Sequence, residues 1–272
     1  MKVLLTGARG NFGTEFLKLA DCDVVQFGRD EWHAPKPELF SGVDVVVHAA
    51  SDLHTKIGVS PTRLIDSNLT STARLLESAR EHRIPRFVFL SSCAVYGEDM
   101  RTNEDHQCSP VSLNGTSKLL NERMIAEFCS VNDIKYEILR IFNMYGGHDN
   151  FSIVNHLKKS LDDDSPFTLN NGGIAQRDFI HVADVAFIVF KLLQMNIPYS
   201  YLNIGTGTAT KISTLIDLAQ RRFPALSIQH AQTREAEYSR ADITKLREFI
   251  NIDFVKIENY MNEHFMKGNE GR

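Results

Sequence analysis

The stretch Val3-Leu4-Leu5-Thr6-Gly7-Ala8-Arg9-Gly10-Asn11-Phe12-Gly13 constrains this chain most. An apolar run of strand length enters a glycine-rich turn and leaves as the helical run Thr14-Glu15-Phe16-Leu17-Lys18-Leu19. With Gly7-x-x-Gly10-x-x-Gly13, the turn can close tightly at the first glycine. The second admits a pyrophosphate against bare backbone, and the third lets helix pack on strand. The same glycines also serve a strand-to-helix turn that holds no ligand.

Past this helix the strand-then-helix rhythm repeats. Asp23-Val24-Val25-Gln26-Phe27-Gly28 reads as a second strand, and Val43 to Ala50 as a third whose nearly continuous apolar run fits burial on both faces. Arg86 to Leu90 and Tyr136 to Phe142 supply two more, with helical patterns over 63–79 and from about Asn114. The alternation predicts an α/β fold, a Rossmann-type doubly wound parallel sheet with a smaller C-terminal lobe. The expected division is 1–145 plus about 180–204 for the sheet, and about 146–179 with 205–272 for the lobe. Ala49-Ala50 at a strand's end leaves room for a ligand, and simple packing explains the pair as well.

Gly28-Arg29-Asp30 lies just past the second strand, where an acid accepts from a ribose 2′-hydroxyl and an arginine accommodates a 2′-phosphate. Arg29, with Arg9, points to NADP(H). Asp30 keeps NAD open, and both arginines read equally as solvated loop charge.

A length of 272 residues allows one large domain or a domain with a lobe. The net charge of −4, with basic residues scattered, gives no reason to expect nucleic acid or a membrane surface as partner. Cys22, Cys93, Cys108 and Cys129 have neither metal-ligand spacing nor disulfide density, so no metal and a reducing, cytoplasmic setting are expected. The chain enters its first strand at once and holds no apolar stretch of spanning length.

Further motifs come in order: His48-Ala49-Ala50, Ser91-Ser92 with Val95-Tyr96-Gly97, Arg140-Ile141-Phe142-Asn143-Met144-Tyr145-Gly146, Arg177-Asp178-Phe179-Ile180-His181, and Asn203-Ile204-Gly205-Thr206-Gly207. With the glycine loop they resemble the extended short-chain dehydrogenase/reductase family of nucleotide-sugar epimerases, dehydratases and reductases. Within it they look most like the NADPH-using GDP-fucose synthases and, next, the 4-keto-6-deoxysugar reductases. The resemblance implies a cofactor held by Gly7, Arg9, Gly10, Asn11, Phe12, Gly13, Arg29, Ala49, Ala50, Lys118 and Phe142. It implies a nucleoside-diphosphate sugar met by Ser92, Asn143, Asn150 and Arg177, and a homodimer through the helices near 63–79 and 114–129.

Family chemistry uses a hydroxyl to polarise the sugar carbonyl, a tyrosine to move the proton, and a lysine to lower the tyrosine pKa and hold the ribose. Ser92 and Lys118 match, but the tyrosine four residues before the lysine is Asn114. An amide donates a hydrogen bond yet does not exchange a proton near neutral pH, so acid/base work loses about 10²- to 10⁴-fold. Tyr96 and a water ordered by Ser92 are the substitutes to weigh. Cys93 and His156 stand one residue off the synthases' epimerisation pair, and Cys93 reads better as core. Two functions are compatible with these residues: an NADP(H)-dependent nucleotide-sugar reductase or epimerase/reductase with an altered proton path, with Ser92, Asn114 and Lys118 as its catalytic set, or a protein that binds dinucleotide or sugar nucleotide without turnover as a regulatory or partner subunit.

Overall fold

A computed structural model of the chain describes residues 1–28, 30–32, 35–52, 60–98, 102–233 and 235–265. The first half runs β1 (Lys2–Thr6), α1 (Asn11–Leu19), β2 (Asp23–Phe27) and β3 (Val45–His48). Next comes one long helix, α2 (Pro61–Leu64) and α3 (Ser71–Glu81), interrupted by a π-helical segment, Ile65–Thr70. Then come β4 (Arg86–Ser92), α4 (Leu113–Val131) and β5 (Lys135–Ile141). The second half adds β6 (Asn143–Tyr145), α5 (Ile153–Asp162), β7 (Phe167–Asn170), β8 (Gln176–His181), α6 (Val182–Leu193) and β9 (Tyr201–Ile204). It ends in β10 (Ala209–Lys211), α7 (Ile212–Arg222), β11 (Ile228–Ala231), β12 (Tyr238–Ser239), α8 (Thr244–Arg247) and α9 (Ile257–His264). No helix among the described residues is long and apolar enough to cross a membrane.

Six strands form a parallel sheet in the order β2-β1-β3-β4-β5-β9. Alternation along each strand splits the apolar side chains between two cores. Val3, Leu5, Val45, Val47, Val88 and Leu90 meet α1 and α6 through Phe12, Phe16, Val185 and Val189. Leu4, Val46, Phe87 and Phe89 meet α3 and α4 through Leu75, Leu76, Ile125 and Cys129. The doubly wound reading therefore holds, with one difference: among the described residues no strand lies outside β2, so the order is the flavodoxin-like one. Trp32 and Phe40 pack on the α3-facing side of that edge strand, 4.8 and 5.9 Å from Phe27. Strand order reverses between β1 and β3, and the C-terminal ends of the strands open a crevice there.

The second half builds around β8, flanked by β10 and β12 and paired also with β6, and around the pair β11-β7. Its core, Tyr145, Leu157, Phe167, Leu215, Ile257 and Met261, is a cluster separate from the two sheet cores.

One ion pair sits deep behind β4 and β5. Arg140, in β5, grips the Glu122 carboxylate of α4 through Nη2 at 2.8 Å and Nε at 3.2 Å, both residues almost fully buried. Its Nη1 donates to the Tyr96 hydroxyl at 3.1 Å and to the Glu104 carbonyl at 3.3 Å. The Tyr96 O–H donates in turn to Asn203 Oδ1 at 2.7 Å, and Ser91 Oγ donates to Glu122. Burying two charges is costly, so removing one partner leaves the other's desolvation uncompensated. Glu122→Ala should destabilise the chain by about 3–5 kcal/mol, read as a lowered urea midpoint at neutral pH; a loss within about 1 kcal/mol, as for a surface pair, would show that water reaches Arg140.

Candidate active site

The glycine loop does what its spacing requires. Gly7 has φ +71°, and a Cβ there would stand 2.8 Å from the Ala50 nitrogen. At Gly13 a Cβ would stand 2.3 Å from the Gly7 carbonyl oxygen, so only hydrogen lets α1 sit directly on the loop. The Gly10 N–H donates to the Gly7 carbonyl at 2.8 Å, and Gly10 caps α1 with no side chain. The first-turn N–H groups beyond it favour an anion. Phe12 and Phe142, expected on the cofactor, are buried in the core. The Asn11 amide turns away from the loop. Its Nδ2 donates to the Gly146 carbonyl and its Oδ1 accepts from the His148 N–H, both at 2.9 Å, clasping α1 to the turn that leads into α5. Arg9 is exposed, and Arg29 lies outside the described residues. The acid at the tip of β2 is Glu31, whose carboxylate accepts from the Gly28 N–H at 2.8 Å.

Across the switch point, Thr6 and His48 tie β1 to β3. Thr72 Oγ1 gives its proton to the Asn68 carbonyl at 2.6 Å, so it accepts from His48 Nε2 at 2.9 Å. Nδ1 is then the acceptor for the Thr6 hydroxyl at 2.8 Å, and the Thr6 oxygen accepts the N–H groups of Ala49 and Ala50. Fully buried and doubly bonded, His48 is neutral; burial first, and the nearby Lys118 charge second, lower its pKa to about 3. The π-helical segment presents Asn68, whose Oδ1 accepts from the Asp52 N–H at 2.7 Å and fixes the chain past Ala49-Ala50-Ser51.

Ser92 ends β4, and its Oγ accepts from the Ala94 N–H at 3.2 Å, capping the turn Cys93–Tyr96. Ser112 caps α4 at the Gly115 N–H. A Cβ at Gly115 would stand 2.4 Å from the Ala94 carbonyl oxygen, so α4 is pressed onto that turn and Asn114 is set beside it. Lys118, one helical turn on, is 5% exposed; its Nζ donates to the Leu90 carbonyl at 2.8 Å and lies 4.7 Å over the Phe89 ring. Burial lowers its pKa to about 8, with Glu122 opposing. Ser51 Oγ, Asn114 Oδ1 and Asn121 Oδ1 are buried with no protein partner. Orphaned polar atoms at the ends of β3 and α4, bare backbone at Gly7 to Gly10 and an open helix terminus together fit a dinucleotide.

One stand-in for the tyrosine that the resemblance implies is closed. Tyr96 is locked behind the sheet by Arg140 and Asn203. The Cys93 thiol is pushed up to about 11 by burial, which agrees with its reading as core.

A cavity of about 540 Å³ opens beside β7 and β8, lined by Asn143, Phe151, Ser152, His156, Lys159, Phe167, Arg177 and Glu235 among others. Asp149 shapes its rim, accepting from the N–H groups of Gly146, Phe151 and Ser152. Asn150 is exposed and does not line the cavity. Arg177 donates to Glu235 at 2.9 Å, so the guanidinium expected on a diphosphate has a carboxylate partner. Asp178, beside it, accepts from Thr206, Gly207 and Ala241 N–H groups and anchors β8. Lys159 and Glu235 were not foreseen. The spacing of His156, Lys159 and Ser160, opposite the buried Val154 and Leu157, carries the signal for the first.

Compared with known proteins, residues 3–205 match the model of the NAD dependent epimerase/dehydratase family. A candidate UDP-glucose 4-epimerase of Methanocaldococcus jannaschii is 34% identical over 188 residues, 66% of this chain and 61% of that protein. An uncharacterized UDP-glucose epimerase of Bacillus subtilis is 28% identical, with 93% of each chain covered. Among solved structures, UDP-glucose 4-epimerase of Thermotoga maritima with UDP-glucose superposes with a TM-score of 0.87 at 23% identity, covering 99% of this chain and 100% of that one. UDP-glucuronic acid 4-epimerase of Bacillus cereus, with UDP-glucuronic acid and NAD, gives 0.82 at 21% over 96% and 97%. At these identities the structural likeness establishes the fold.

The His48 bridge carries a pH dependence of known sign. The unfolded chain binds a proton at this histidine below about pH 6.5 and the folded chain does not until about pH 3, so stability is full above that window and lost as pH falls through it. The loss should approach about 1.4 kcal/mol per pH unit near pH 5. Proton uptake on unfolding, taken from the pH dependence of urea stability, should fall by one in His48→Asn; an unchanged uptake would put the ring's proton in the folded state.

Proposed function

We propose, from the premise that this chain belongs to the NAD-dependent epimerase/dehydratase family, that it binds a nicotinamide dinucleotide and a nucleoside-diphosphate sugar and oxidises or reduces a sugar carbon. The observation that carries this reading is the convergence of the Gly7–Gly13 loop, Ser92 and Lys118 on one sheet edge. The bound dinucleotide supplies the hydride acceptor or donor. Ser92 donates to the sugar oxygen, Lys118 holds the ribose, and the Asn114 amide donates without exchanging a proton. Residues 1–145 with 180–204 serve the dinucleotide, and 146–179 with 205–272 serve the sugar nucleotide. The cavity with Lys159 and Arg177 supports that division. Diphosphate there would take Arg177 from Glu235, a guanidinium fork suiting either anion. Exposed Ile65, Leu113 and Leu120 support a homodimer through the two long helices.

For the cofactor, Glu31 outweighs Arg9 and Arg29. Its carboxylate keeps acceptor capacity for a 2′-hydroxyl after taking the Gly28 N–H, and it repels a 2′-phosphate. The reading is therefore NAD, with NADP as the alternative that the arginines support. By fluorescence titration NADH should bind at least about tenfold more tightly than NADPH, about 1.4 kcal/mol, and Glu31→Ala should narrow the ratio. Tighter NADPH would return the assignment to the arginines.

Asn114 supports the second reading, binding without turnover. Parent and Asn114→Tyr should both bind NAD and UDP-glucose by calorimetry. The variant should turn over at least about tenfold faster on UDP-glucose, UDP-N-acetylglucosamine or a GDP-linked 4-keto-6-deoxy sugar, a modest part of what general acid catalysis supplies. Binding by both with turnover by neither would establish the binding protein.

A further inference from the structure

Resting on the function just proposed, we infer that Lys118 itself is the proton carrier of this site, exchanging the proton of the sugar hydroxyl through one water held between Ser92, Asn114 and its own amine.

The other titratable groups at this edge are closed. Both ring nitrogens of His48 are bonded within the protein. The Tyr96 hydroxyl gives its proton to Asn203 and accepts from Arg140. Glu122 is held by Arg140 and Ser91. The Cys93 thiol is buried, and Ser239 Oγ donates to it at 3.9 Å.

Lys118 differs in geometry. It sits almost wholly buried, and Nζ donates to the Leu90 carbonyl, two residues before Ser92 on the same strand. An ammonium has three N–H donors, so two directions remain after Leu90. Asn114 lies one turn earlier on the same face of α4, within side-chain reach of Lys118. Its buried Oδ1 has no protein partner. Asparagine ends well short of where a phenol would extend, and a buried water needs two to four polar partners. In the arrangement inferred, Asn114 Oδ1, Lys118 Nζ and Ser92 Oγ would be its three.

The surroundings suit an amine that titrates near neutrality. Glu122 is the carboxylate on its own helix, and β5 brings Arg140 to neutralise it. From β3 comes His48, kept neutral by burial and by the Lys118 charge, and from β4 come the Phe89 ring and the Leu90 carbonyl. Burial therefore dominates and brings the amine to about 8, close to where a general acid/base works best. In oxidation the sugar C–H bond gives its hydride to the nicotinamide ring. The O–H proton passes through the water to the neutral amine, and the carbon–oxygen double bond forms; reduction runs the same path backwards.

Acetic anhydride labelling of Lys118 in the cofactor-free protein, read by mass spectrometry against pH, should reach its midpoint about two pH units below an ordinary lysine. NADH formation from NAD and UDP-glucose should rise with pH through that same midpoint. Lys118→Arg should lose at least about a hundredfold in turnover at saturating NAD, because a guanidinium stays charged. In Lys118→Ala, small primary amines should restore turnover at least tenfold, the rate following amine basicity. A labelling midpoint in the ordinary lysine range, an active Lys118→Arg, or rescue indifferent to basicity would overturn the proposal. Overturned likewise by a parent that binds NAD and UDP-glucose without turnover, it would then leave the binding function standing. Binding of neither ligand would remove that function as well.

Discussion

The ends of β1 and β3 approach so closely that nothing larger than the residues present would fit, and the geometry of the sheet edge depends on that approach. Thr6 takes both backbone N–H groups of Ala49 and Ala50, while Gly7, lacking a Cβ, lies against the Ala50 nitrogen. His48 locks the arrangement from behind. The crevice where strand order reverses is thus bounded by rigid backbone. A site built on strand ends and helix termini inherits that rigidity, since its groups are held by ladders rather than by loops.

Behind the crevice the chain buries charge. Arg140 satisfies its guanidinium on Glu122, Tyr96 and the Glu104 carbonyl, and its planar face lies 4.9 and 5.0 Å from the centres of the Tyr96 and Tyr201 rings. Those bonds hold the Tyr96 hydroxyl within the protein. Tyr96 belongs to the network that joins β5 to α4 through Arg140 and Glu122, and its hydroxyl is spent there.

Much of this could be read from the chain. Glycine spacing, apolar runs and the positions of Ser92 and Lys118 are local signals, and local signals survive because each is imposed by one strand, one turn or one helix. What escaped was long-range. The clasp between Asn11 and residues 146–148 joins groups more than a hundred residues apart, and no pattern in Gly10-Asn11-Phe12 announces it. The pairing of Arg177 with Glu235 spans 58 residues. The π-helical turn arises in a sequence with ordinary helical spacing, and only its packing on Asp52 and Asn121 makes sense of it. The acid at the tip of β2 was sought at Asp30, whereas a short 3-10 turn delivers Glu31.

Ending the sheet at β2 leaves that strand with one unsatisfied flank, the kind of border onto which another chain's strand can graft itself. β2 is only five residues long, carries outward Asp23 and Gln26, and has Trp32 and Phe40 folded over its last aromatic. Glu31 adds to this by occupying the N–H of Gly28, the residue just past the strand. The carboxylate proposed to accept from a ribose hydroxyl thus also occupies a backbone donor at the strand's exit, so recognition and resistance to strand-on-strand association would share one side chain.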